Sequence, residues 1–116
     1  MNNFDIPIFK ISYELYKTLY GYRKLVPKGD RFTVFERCEN ATLDVIEAIL
    51  LASGQTKKEK IPTLEHASLK LNVLRVFIRL IKDTKAIDTK KYITLEVMID
   101  EIGRMLGGWM RSIRID

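Results

Sequence analysis

Residues Leu64, Ala67, Leu71, Leu74, Ile78 and Ile81 recur at steps of three and four, which lays one unbroken apolar stripe along an α-helix. Three other segments repeat the rhythm: Ile8, Ile11, Leu15, Leu19 and Tyr22; Phe35, Cys38, Thr42, Val45, Ile49 and Ala52; and Tyr92, Leu95, Ile99, Ile102, Leu106 and Trp109. Breaks at Val26-Pro27-Lys28-Gly29-Asp30, at Ser53 through Thr63, and at Ala86 through Thr89 separate them. Pro7 suits a first helical turn, Asp30 is a good N-cap for the second helix, the third is expected to open after Pro62 and Thr63, and Asp88 or Thr89 caps the fourth. An isolated helix of about twenty residues is marginal in water, so the stripes must be buried against one another. With short connections the expected fold is all-α, an antiparallel up-down-up-down four-helix bundle. At 116 residues the chain is expected to be one domain, residues 1–116, that needs no covalent staple.

Two helices carry more apolar surface than one core requires. A core-facing helix shows about three apolar positions per heptad, yet the first adds Phe9, Tyr13, Tyr16 and Tyr20, and the third adds Leu69, Val73, Phe77 and Leu80. These second stripes are either a wide core face with tyrosine rims or an association surface, since exposed apolar patches of that extent mark contact with another molecule. The second alternative implies a homo-oligomer.

Composition removes most catalytic chemistry. A di-iron bundle needs inward Glu residues and paired Glu-x-x-His motifs, whereas this chain has one histidine, His66, directly after Glu65. No metal or cofactor is expected. Cys38 is the lone cysteine and lies on a core stripe, so neither a disulfide within the chain nor an activated thiol fits. Pro27-Lys28-Gly29 holds one glycine, too few for a phosphate-cradling loop. Glu36, Glu39, Asp44 and Glu47 read as a solvated acidic face. No catalytic residue is expected. Met1 to Pro7 does not resemble a leader and no segment approaches the roughly 18 apolar residues of a membrane span, so the expected setting is cytoplasmic.

Net charge is +5, and all of the excess is in one half: residues 1–54 hold 7 Lys+Arg against 7 Asp+Glu, residues 55–116 hold 13 against 8. The asymmetry points to a polyanion or an acidic protein surface, the alternative being a plain solvated basic face. Arg75, Arg79 and Lys82, at i, i+4 and i+7, form a cationic stripe expected to face away from the core seam. In an up-down-up-down bundle the first and third connections share an end. Arg23, Lys24, Lys28 and Arg31 should then lie near Lys82, Lys85, Lys90 and Lys91, while Lys57, Lys58 and Lys60 share the other end with Arg111 and Arg114. Both ends should be basic, and these cations are the candidate nucleic-acid contacts.

The run Ile102-Gly103-Arg104-Met105-Leu106-Gly107-Gly108-Trp109 concentrates glycine where each costs about 1 kcal/mol relative to alanine. Gly103 and Gly107 share a face that would admit a close neighbour; Gly107-Gly108 could equally end the helix. Together with the Tyr92-rooted helix and the Pro27-Lys28-Gly29-Asp30-Arg31 turn, this run resembles the accessory variability determinant (Avd) proteins of diversity-generating retroelements, across essentially the whole chain. The bundle pattern is shared with the related ribosomal-RNA intervening-sequence proteins. The resemblance implies a barrel-like homopentamer of four-helix bundles that partners a reverse transcriptase and its template RNA and performs no chemistry itself. It carries over no residue-by-residue site.

Overall fold

The computed structural model describes residues 6–114; Met1–Asp5, most of the stretch judged unlike a leader, and Ile115 and Asp116 lie outside the described residues. Four long helices, α1 (Pro7–Arg23), α3 (Val34–Ser53), α4 (Lys57–Asp83) and α5 (Thr89–Arg114), are joined by short connections, the first of which contains a single helical turn, α2 (Lys28–Arg31). α1 packs on α3 and α5, and α4 packs on α3 and α5, so α1 and α4 face each other diagonally. A helix of the length of α5 spans about 39 Å at 1.5 Å per residue, which sets the long dimension of the 47 × 25 × 22 Å body.

The core follows the spacing closely. Every member of the α4 stripe and of the α3 stripe is buried, as are Ile8, Leu15 and Leu19 of α1 and Leu95, Ile99, Ile102 and Leu106 of α5. Ile11, Tyr22, Tyr92 and Trp109 sit half-buried at its margin. Ala41, Ala48 and Ala52 on α3 and Ala67 on α4 are also buried, and their small side chains let these two helices form the most extensive of the four seams. Cys38 lies in this core, and burial pushes its thiol up to about 12, so it stays a packed, protonated group.

Two boundaries differ from expectation and a third agrees with it. α4 opens at Lys57, not after Pro62, because Thr56 and Glu59 form a capping box: Thr56 Oγ1 accepts from the Glu59 N–H (3.3 Å), and Glu59 Oε1 accepts from the Thr56 N–H (2.9 Å). Two otherwise orphaned donors are satisfied there, outweighing the one bond that Pro62 forgoes inside the helix. Asp30 lies within α2 and is not the cap of α3; Thr33 precedes α3, and its hydroxyl donates back to the Asp30 carbonyl (3.2 Å). Asp88 does cap α5, accepting from the Lys91 N–H at 2.8 Å, and this bond holds its carboxyl below the ordinary range.

The glycine run does not end α5. The helix continues to Arg114, anchored by buried Ile113, and no described glycine has a positive φ. Among the described residues no other helix approaches Gly107 or Gly108 either: an added Cβ would meet Arg111, at 3.4 Å from Nη1 and 3.8 Å from Nη2 respectively. Gly108→Ala should therefore raise stability by roughly 1 kcal/mol through helix propensity alone, read as a higher midpoint in urea. A lower midpoint would mean that something other than the described residues packs on that face.

Candidate functional site

At one end of the bundle the α1–α3 and α4–α5 connections meet across a cavity of about 230 Å³ lined by Val26, Pro27, Lys85, Ile87 and Lys91 among others. α4 stops in a Schellman geometry: the Ala86 N–H reaches the Ile81 carbonyl (2.8 Å) and the Lys85 N–H the Lys82 carbonyl (2.9 Å). This places Lys85 at φ 66°, the one positive-φ non-glycine among the described residues, in a position that favours glycine by about 1 kcal/mol.

The structure sorts the expected basic cluster into two kinds. Arg31 serves the backbone: Nε donates to the Val26 carbonyl and Nη2 to the Lys24 carbonyl, both at 2.9 Å. Arg23 pairs with Glu39 and lies 5.0 Å over the Phe32 ring. Lys91 holds Asp88 (3.0 Å) and lies 5.8 Å from the Tyr22 ring. Lys24, Lys28, Lys85 and Lys90 are exposed and form no ion pair among the described residues, although the charge of Lys90 helps to lower the Asp88 carboxyl. Glu39 departs from the solvated acidic face expected of it. It is 6% exposed, and burial raises its carboxyl above the ordinary range, the Arg23 guanidinium partly countering this.

The Arg75, Arg79, Lys82 stripe borders α5 and does not stand free on a face of its own. Arg75 reaches across α5 to Asp100, Arg79 pairs with Asp83 (3.4 Å), and Lys82 lies 4.0 Å from Asp83 and 5.0 Å over the Tyr92 ring. Gly103 makes room for this reach: a Cβ there would sit 2.6 Å from Arg75 Nη2 and 3.5 Å from Leu71 Cδ2. The close neighbour of Gly103 is thus a guanidinium, not a helix backbone. At the opposite end, Arg114 pairs with Glu65 (3.2 Å), Lys60 lies 5.6 Å over the Trp109 ring, and Lys58 and Arg111 are exposed with no carboxylate partner among the described residues.

The second apolar stripes divide as well. Phe9, grouped by spacing with the exposed tyrosines, is 5% exposed and belongs to the core cluster, and it also forms part of the wall of the groove that the tyrosines line. Tyr13 and Tyr20 are exposed and Tyr16 half-buried, and with Leu43 and Ile46 of α3 they line an apolar groove of about 570 Å³. On α4, Leu69 and Leu80 are exposed, while Val73 and Phe77 are half-buried. Val76, which the spacing did not single out, completes an outer stripe of Leu69, Val73, Val76 and Leu80; its place three residues past Val73 was a visible signal. Among the described residues no three His, Cys, Asp or Glu side chains are placed to hold a metal ion, and no helix is long and apolar enough to cross a membrane.

This arrangement, a basic-ended bundle with apolar side faces, can bind polyanions and other protein surfaces. Compared with known families, residues 8–113 match the family described as bAvd-like. The chain belongs to the bAvd-like family. Among solved structures, this bAvd-like chain is similar to the crystal structure of a protein with unknown function from the S23 ribosomal protein family of Bacteroides thetaiotaomicron VPI-5482. The TM-score is 0.79 at 19% identity, covering 89% of this chain and 97% of that one, a likeness of fold. No curated protein matches the bAvd-like chain.

Proposed function

We propose that the chain is a non-catalytic accessory protein of a diversity-generating retroelement, a cytoplasmic homo-oligomer that binds the reverse transcriptase and its template RNA or cDNA to support mutagenic copying. It acts as one folding unit. The family supplies the retroelement context. The observation that carries nucleic-acid binding is the end where Lys24, Lys28, Lys85 and Lys90 stand exposed without carboxylate partners among the described residues, Lys85 in a backbone conformation that disfavours it. Phosphate contacts need cations free to exchange their counterions; Arg75, Arg79 and Lys82, each near a carboxylate, are secondary contributors. The α1–α3 groove and the outer α4 stripe lie on different faces, because α1 and α4 are diagonal. Association through them is head-to-tail, a geometry that forms a ring when the rotation per subunit closes; ring closure and the number five rest on the family resemblance. A ring repeats each basic end, so a modest charge per chain engages many phosphates together.

Fluorescence anisotropy of labelled RNA across a salt series tests the nucleic-acid reading. Reversing Lys24, Lys28, Lys85 and Lys90 to Glu should weaken binding and lower the log–log salt slope by roughly 3, at about 0.7 to 0.9 per phosphate contact. Reversing Arg75, Arg79 and Lys82 should have a smaller effect. No binding by the parent at low salt would favour a protein-only adaptor. A reverse-transcriptase gene beside this one separates the retroelement role from that of an intervening-sequence protein.

A further inference from the structure

At the end of the bundle opposite the exposed lysines, the core opens into an apolar cavity of about 550 Å³. Its walls come from the starts of α1 and α4 and the ends of α3 and α5: Pro7, Ile8, Lys60, Ser53, Met105 and Trp109. Trp109, the chain's single tryptophan, is half-buried there with Lys60 Nζ 5.6 Å from its ring centroid. Lys60 has no carboxylate partner among the described residues, and exposed Lys58 and Arg111 add uncompensated positive charge at this end. The Ser53 hydroxyl donates to the Ile49 carbonyl (2.9 Å), which leaves its oxygen lone pairs able to accept.

The geometry points to a pocket for one unpaired nucleobase of a single-stranded nucleic acid, stacked on Trp109. The inference rests on the nucleic-acid reading above. The features together specify the ligand: an apolar slot beside a flat indole face takes a flat ring, rim cations take an attached anion, and the Ser53 oxygen can accept from a ring N–H. A nucleotide carries all three, and base-on-aromatic stacking is the usual way that single strands are held. A base entering on the face now covered by Lys60 displaces only a cation–π contact, and the freed ammonium is at hand for the adjoining phosphate. Bases in a duplex are stacked and paired, so they are excluded.

Because Trp109 is the sole tryptophan, its emission reports this pocket directly. Full-length protein is titrated with labelled oligouridylate and, separately, with a labelled duplex of the same length, following anisotropy and tryptophan emission together. The expected result is that both ligands raise the anisotropy while only the single strand quenches Trp109, saturating at the same concentration. Trp109→Leu should lower single-strand affinity about tenfold and leave duplex affinity unchanged, and Trp109→Phe should retain most of it. Lys60→Gln, a rim change that does not burden folding, should weaken single-strand binding selectively. Anisotropy that rises without quenching, or single-strand affinity intact in Trp109→Leu and Lys60→Gln, overturns the pocket while nucleic-acid binding stands. No anisotropy change with either ligand removes both.

Discussion

Replacing Arg23 by Ala should destabilise the fold by about 2 to 3 kcal/mol and make the loss depend on pH. Arg23 at the end of α1 pairs with Glu39 on α3, a carboxylate that is 6% exposed, and its guanidinium lies over Phe32. Removing one partner of a buried pair leaves the other charge uncompensated, which costs about 3 to 5 kcal/mol when both are fully buried. Arg23 is half-buried, so solvent reduces the figure. Burial already raises the Glu39 carboxyl above its ordinary range, and Arg23 opposes that rise. A carboxyl whose folded pKa is raised stabilises the fold while protonated, an effect present below the unfolded pKa and lost as pH rises through the folded pKa. Without Arg23 the folded value rises further. The deficit of Arg23→Ala relative to the parent should therefore be smallest near about pH 4 and grow toward neutrality. Urea unfolding at the two pH values measures it. A deficit equal at both would assign the role of Arg23 to its packing on Phe32. Replacing Arg23 and Glu39 together by Met should recover most of the loss, because no buried charge is then left alone.

Replacing Tyr13 and Tyr20 together by Glu should convert the protein to a 13.5 kDa monomer. Both rings are exposed on the rim of the α1–α3 groove, Tyr20 at 66%, and neither belongs to the core cluster. Two carboxylates at the centre of an apolar contact oppose association by about 2 kcal/mol or more each, roughly a thirtyfold loss per site. Helicity should be unchanged. Leu69→Glu with Leu80→Glu, on the outer face of α4, should dissociate the assembly equally, because a head-to-tail contact uses both faces once per subunit. Light scattering at micromolar concentration follows the mass. A parent that is monomeric there ends the association reading. Dissociation by the tyrosine pair alone would assign the contact to two α1–α3 grooves facing each other.

The α3 and α4 stripes were legible to the last residue because each helix has one face that must be dry, and a 3.6-residue period leaves no other register. The box formed by Thr56 and Glu59 was also written in the sequence, and Pro62 outweighed it only when the proline was judged by itself. Phe9 and Glu39 were not legible. Each sits about one position off its helix's main stripe, where spacing is equally consistent with exposure, and the neighbouring helix decides: Phe9 turns into the α1–α3 seam, and Glu39 is buried beside the arginine that pairs with it.

The cations divide in the same way. Composition established that the chain is basic, and the order of helices established that the first and third connections share an end, since short connections between antiparallel helices permit nothing else. Which cations stay free is a matter of distances between elements far apart in sequence. Arg75 finds Asp100, Arg114 finds Glu65, and Arg31 spends its donors on backbone carbonyls, while Lys24, Lys28, Lys85 and Lys90 form no ion pair among the described residues. The four long helices, their inward faces and their order follow from the residues of each segment, because hydrophobic periodicity is local. Which charges are paired, which aromatic rings are covered and where the core opens at Trp109 are set by packing, because each of these depends on what a second helix brings within a few ångströms.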